Sequence, residues 1–83
     1  MRITLKLFAS LGQFLPAGAK ANAIPVEVPA GVTAHQILDR FSVPRESVHL
    51  VLLNGVYLDA SARDQTPLQA DDVLAAWPPV AGG

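Results

Sequence analysis

The chain has 83 residues, 51% of them apolar and 16% charged, with a formal net charge of −1. That length supports one domain burying about 60–65% of its unfolded surface, and that balance favours a folded core over disorder. A near-neutral charge with no Lys/Arg cluster argues against a nucleic-acid partner, and the absence of cysteine removes disulfides, zinc thiolates and thiol nucleophiles.

The first element is legible at once. In RITLKLF, Ile3, Leu5 and Leu7 alternate with Arg2, Thr4 and Lys6, which predicts a half-buried strand. The stretch from Ala9 to Ala23 is rich in Ala, Gly and Pro; Leu11, Phe14 and Leu15 offer one apolar helical turn, which Gly12 and Pro16 interrupt. IPVEV, residues 24–28, reads as a second strand, so the stretch before it is a wide hairpin loop.

VTAHQILDRF carries the strongest local signal. Thr33 is placed to cap a helix, and Gln36 three residues later completes a capping box. Ala34, Ile37, Leu38 and Phe41 follow at helical spacing and make one apolar stripe, and Pro44 prevents continuation. In VHLVLLNGVYL two apolar runs flank Asn54-Gly55, a dipeptide suited to a tight hairpin. A polar loop of residues 59–72 leads to a last strand, VLAAW, residues 73–77.

The order strand, strand, helix, strand, short strand, strand predicts an α+β roll of the β-grasp type. It has a mixed sheet of about five strands with one main helix on one face. Residues 1–77 form the domain and residues 78–83 an extended tail. One helix covers only one sheet face, yet Leu50 and Leu52 face one way and Val51 and Leu53 the other. The open face should therefore carry Leu50, Leu52, Phe8 and Trp77, an apolar patch of the kind that marks a partner surface. The competing reading is that the loop of residues 9–23 folds over it.

Catalytic chemistry of the chain's own is not indicated. His35 and His49 have no Cys and no nearby carboxylate pair to complete a metal site, so no metal is expected. Asp71-Asp72 reads as turn chemistry, and the six glycines form no phosphate-binding pattern. The longest strictly apolar run, residues 50–53, is too short to span a bilayer. Thr4, Lys6 and Ser10 interrupt any signal-peptide core, so a soluble cytoplasmic protein without a membrane partner is expected.

The tail PPVAGG stands apart. Pro78 and Pro79 end the last strand and stiffen the exit. Val80, Ala81, Gly82 and Gly83 then taper to no side chain, suited to threading a narrow channel in another protein. A carboxylate there is a poor electrophile until activated, most simply as an acyl-adenylate made by an ATP-using partner.

Taken with LFA closing the first strand, EVPAGVTAHQIL, LLNG and PLQADD leading into AAWPPVAGG, the chain resembles the MoaD/ThiS family of ubiquitin-like sulfur carriers. It looks most like the small subunit of molybdopterin synthase. The resemblance implies that a ubiquitin-activating-type enzyme adenylates Gly83 using ATP, and that sulfur then replaces AMP to give a thiocarboxylate. The tail would enter a synthase large subunit or another sulfur acceptor, with no cofactor bound by this chain. It also matches Phe8, Tyr57 and Trp77 to the family's apolar contact surface. Where the family usually has Gly-Asp before the last strand this chain has Asp71-Asp72, and Asp tolerates the left-handed turn at modest cost. Thiamine, cysteine or another sulfur metabolite remain open as pathways. A ubiquitin-like protein modifier and a plain β-grasp interaction domain remain open as functions.

Overall fold

The computed structural model describes residues 1–79. Five strands form a single sheet: β1 (Arg2–Leu7), β2 (Ala23–Glu27), β3 (Leu50–Leu53), β4 (Val56–Tyr57) and β5 (Val73–Trp77). Their spatial order is β2-β1-β5-β3-β4, with one helix, α1 (Ala34–Arg40). Short 3-10 turns occupy Ala9–Phe14, Arg45–Ser47 and Ala60–Asp64. β1 and β5 run parallel at the centre, and the other pairings are antiparallel. This is the mixed sheet and single helix of a β-grasp fold.

The apolar alternation of β1 decides what the sheet buries. Ile3, Leu5 and Leu7 are at most 1% exposed and meet Ile37, Leu38, Leu74 and Val51 in one core on the helix side. Helix α1 starts where its capping box specifies. The Thr33 N–H donates to Gln36 Oε1 at 3.0 Å, and the Gln36 N–H donates to Thr33 Oγ1 at 3.4 Å. Its end owes less to Pro44 than to Ser42, which takes a left-handed φ of +62°. There the Ser42 N–H donates to the Asp39 carbonyl and the Val43 N–H to the Leu38 carbonyl, a Schellman closure with Val43 buried against the core.

Three local expectations change in detail. Residues 24–28 were expected as a strand, and β2 forms one residue earlier, although the Val28 N–H still donates to the Met1 carbonyl at 2.8 Å. Pro25 lies within it, tolerated because β2 is an edge strand. The apolar turn after β1 is a 3-10 segment, entered through Ala9 at a left-handed φ of +51°. Leu11 is buried there, and Phe14 and Leu15 pack against the same helix-side core. Leu11, Phe14 and Leu15 of this loop thus pack on the far side of the sheet from the open face, against the competing reading that the loop folds over it.

Two turns set the lower end of β5. Asn54 and Gly55 both have positive φ, +52° and +82°, as a two-residue hairpin requires. The Asn54 side chain also donates to Asp72 at 2.9 Å and accepts from the Val73 N–H at 2.8 Å, tying the hairpin to the start of β5. Asp71 does take the left-handed conformation, with φ +68°. Asp71→Gly should therefore relieve backbone strain and stabilise the fold by about 0.5–1 kcal/mol. Thermal denaturation checks this: a rise of several degrees is expected, and an unchanged or lower midpoint would contradict it.

Ion pairs decorate the helix side. Arg45 donates to both Asp39 carboxylate oxygens, at 2.8 and 3.3 Å, and this bond holds the exposed Asp39 below the usual carboxylate range. His35 Nδ1 approaches Asp64 Oδ1 to 2.8 Å, although outside hydrogen-bond geometry. His35 thus does have a carboxylate neighbour that sequence spacing did not show. Because the folded-state pKa of Asp39 is depressed, its contribution is present above the unfolded value and lost as pH falls through the folded one. Asp39→Asn should therefore slightly flatten the acid limb of a stability–pH curve, with the difference vanishing in high salt. An unchanged acid limb at low salt would count against the pair.

Candidate functional site

The uncovered face of the sheet is built by register. Strand pairing sets Leu50 opposite Trp77, Leu52 opposite Ala75, and Leu52 opposite Tyr57 on its other side. Lys6 lies opposite Ala75 in the parallel pair and opposite Ala23 in the antiparallel one. Alternation along each strand then puts Phe8, Leu50, Leu52, Tyr57 and Trp77 on one face, away from the buried Ile3, Leu5 and Leu7. All five residues expected there are brought together.

Phe8 and Trp77 form the centre of the patch. Their rings stack with centroids 4.6 Å apart and planes 8° from parallel. The Phe8 N–H donates to the Ala76 carbonyl at 3.1 Å, extending the parallel pairing one residue past β1. The left-handed turn at Ala9 then takes the chain off the sheet, so Phe8 stays at the strand end against Trp77. Both rings, Leu50 and Leu52 are half-buried, and Tyr57 is 58% exposed. Val56, more exposed still at 69%, pairs with Leu53 and so belongs to the opposite parity at the sheet edge.

Arg63 supports this site from behind, and nothing in the polar loop of residues 59–72 marked it beforehand. It is the buried charged side chain among the described residues, 5% exposed, and donates to the Leu58 carbonyl at 3.2 Å and the His49 carbonyl at 3.1 Å. The His49 N–H in turn donates to the Trp77 carbonyl at 2.8 Å. A strut thus runs from Arg63 through His49 to Trp77, the last residue of β5. Pro78 and Pro79 follow outside the strand, Pro78 half-buried and Pro79 exposed. Val80, Ala81, Gly82 and Gly83, expected to form the threading end, lie outside the described residues. Among the described residues there is neither a pocket nor a group of three metal-ligating side chains.

Residues 6–83 match the family model described as the ThiS family. The chain is a member of the ThiS family. Solved structures agree in fold. SAMP1 of Haloferax volcanii is 26% identical with a TM-score of 0.70, each chain covered in full. The HVO 2177 protein of the same organism is 23% identical with a TM-score of 0.77, covering 100% of this chain and 87% of that one. A chain from the complex of subunits 1 and 2 of the molybdopterin-converting factor of Helicobacter pylori is 24% identical with a TM-score of 0.61, again with full coverage of both. Comparison with curated protein sequences returned no match. This ThiS-family chain therefore shares the ubiquitin-like β-grasp fold of those structures. No helix among its described residues is long and apolar enough to cross a membrane.

Proposed function

We propose that the protein is a sulfur carrier rather than an enzyme, with the Gly83 carboxyl as its working group. The observation that carries this reading is that the family match runs through Gly83, and PPVAGG follows in the sequence after the last described strand, which ends at Trp77. In the proposed cycle a Gly83 carboxylate oxygen attacks the α-phosphorus of ATP on a ubiquitin-activating-type enzyme, and pyrophosphate leaves. A sulfur nucleophile then attacks the acyl carbon and AMP leaves with the oxygen. The resulting thiocarboxylate passes its sulfur to an acceptor, and water restores the carboxylate. The chain itself binds no cofactor in this scheme; ATP belongs to the activating partner.

Molybdopterin formation is the pathway we favour, with the tail inside a synthase large subunit. The fold likeness to the Helicobacter pylori two-subunit factor supports that partner type. The patch of Phe8, Leu50, Leu52, Tyr57 and Trp77 would hold each partner in turn, the activating enzyme first, while Pro78, Pro79, Val80, Ala81 and Gly82 deliver Gly83. A second reading is conjugation of Gly83 to lysines of other proteins, and the 26% identity to an archaeal modifier protein favours it.

One measurement separates the two. Intact mass after incubation with ATP, the host's adenylating enzyme and sulfide should show one oxygen exchanged for sulfur. Appearance of isopeptide products instead, with no thiocarboxylate, would select the modifier. Supplying the thiocarboxylate form to a molybdopterin precursor with the large subunit, or to a thiazole-forming system, then decides the pathway.

A further inference from the structure

Among the described residues, one cation on the open face has no counter-charge. Arg2 pairs with Glu27 at 3.2 Å, and Arg45 with Asp39 at 2.8 Å and Asp64 at 3.6 Å. Arg40 donates to the Glu27 carbonyl at 2.6 Å, and Arg63 serves two buried carbonyls. Lys20 lies exposed in the β1–β2 loop, where a solvated amine needs no explanation. Lys6 is different: it is half-buried in the middle of the sheet, and among the described residues no carboxylate lies within salt-bridge distance of it.

Register fixes what surrounds it. Across the sheet the row reads Ala23, Lys6, Ala75, Leu52, Tyr57. Along β1 its neighbours on the same face are Thr4 and Phe8, each about 7 Å away. Glu27, on the same face, is opposite Arg2, four residues back and about 13 Å distant. A surface laid on the Phe8–Trp77 stack and Leu52 borders Lys6, which sits next to Phe8 along β1 and next to Ala75 across the sheet. Its stem can lie on the methyl groups of Ala23 and Ala75, but its ammonium then loses water with no carboxylate among the described residues to replace it.

We propose that the activating enzyme docks here with an apolar surface bearing a carboxylate opposite Lys6, and that Lys6 selects partners having that acid. The inference rests on the open face being the docking surface proposed above. A partner with an apolar group at that point would leave a buried unpaired ammonium and be rejected. A partner with a carboxylate gains a charge-assisted contact in a drying interface.

The test is calorimetric binding of the host's purified adenylating enzyme to the wild-type carrier and to the variants Lys6→Met, Lys6→Glu and Trp77→Ala, at low and high salt. Lys6→Met should weaken binding by roughly 30-fold or more, because it strands the partner's acid. It should also flatten the salt dependence, and Lys6→Glu should bind more weakly still. Changing the facing acid of the enzyme to Lys should restore binding to Lys6→Glu. If Lys6→Met binds as tightly as wild type while Trp77→Ala does not, the acid is absent and only this inference falls. The same holds if Lys6→Met merely self-associates, which would make Lys6 a guard against pairing of two copies. If Trp77→Ala also binds normally, the docking reading itself is wrong.

Discussion

A chain lacking Gly83 is expected to yield no thiocarboxylate, although it still ends on a glycine carboxylate. Removing one residue draws the terminal acyl carbon back by up to about 3.5 Å. Reacting groups must sit near contact distance, and a misplacement of about 1 Å can cost on the order of 100-fold. The loss should therefore exceed two orders of magnitude in the rate of adenylation. A chain extended by one residue fails for a second reason: the Gly83 carbonyl becomes an amide, which cannot attack phosphorus. Neither change should alter the melting temperature, because among the described residues the last strand ends at Trp77 and every residue of the buried core precedes it. The check is pyrophosphate release and intact mass, run beside thermal denaturation. Sulfur incorporation at the wild-type rate in the shortened chain would remove Gly83 from the mechanism.

The second large effect is expected at Trp77. Trp77→Ala removes the largest side chain of the open face and unstacks Phe8, so affinity for the activating enzyme should fall by about 30-fold or more, as for a central aromatic anchor. Stability should fall far less. The stack contributes about 0.5–1.5 kcal/mol, and the ring is only half-buried, so a total loss of about 1–2 kcal/mol is expected. Denaturant titration and binding on the same variant separate the two losses. Val56→Ala is the matching control: Val56 is more exposed than any residue of the patch, yet its parity puts it off the face, so it should bind and fold as wild type. A binding loss at Val56 equal to that at Trp77 would show that exposure alone, and not the open face, governs docking.

Much of this arrangement is written in local pattern. Residues 2–8 alternate, so the buried triad Ile3, Leu5, Leu7 could be named without a structure. The capping box at Thr33 and Gln36, the Asn54-Gly55 hairpin and the left-handed Asp71 are short-range chemistry, decided within four residues. The apolar residues on both parities of Leu50–Leu53 showed that one sheet face had to stay uncovered by the single helix. Boundaries and loop conformation were harder. Ser42 closes the helix without the glycine that usually marks that position, and nothing local shows that Leu11, Phe14 and Leu15 reach the helix side.

By itself, then, the sequence determined which side chains each strand and helix presents, because side-chain direction follows from periods of two and 3.6. It also determined that PPVAGG, with no charged side chain, follows the last strand in the sequence. Only the tertiary structure decided what those faces meet. The parallel pairing of β1 with β5 joins segments some seventy residues apart in the chain, and register between distant strands is set by global packing. That pairing brings Phe8 onto Trp77, leaves Lys6 beside Ala75 with no acid among the described residues, and lets Arg63 brace the end of β5 through His49. No local pattern carries such information, since each contact depends on two segments finding one another in the folded chain.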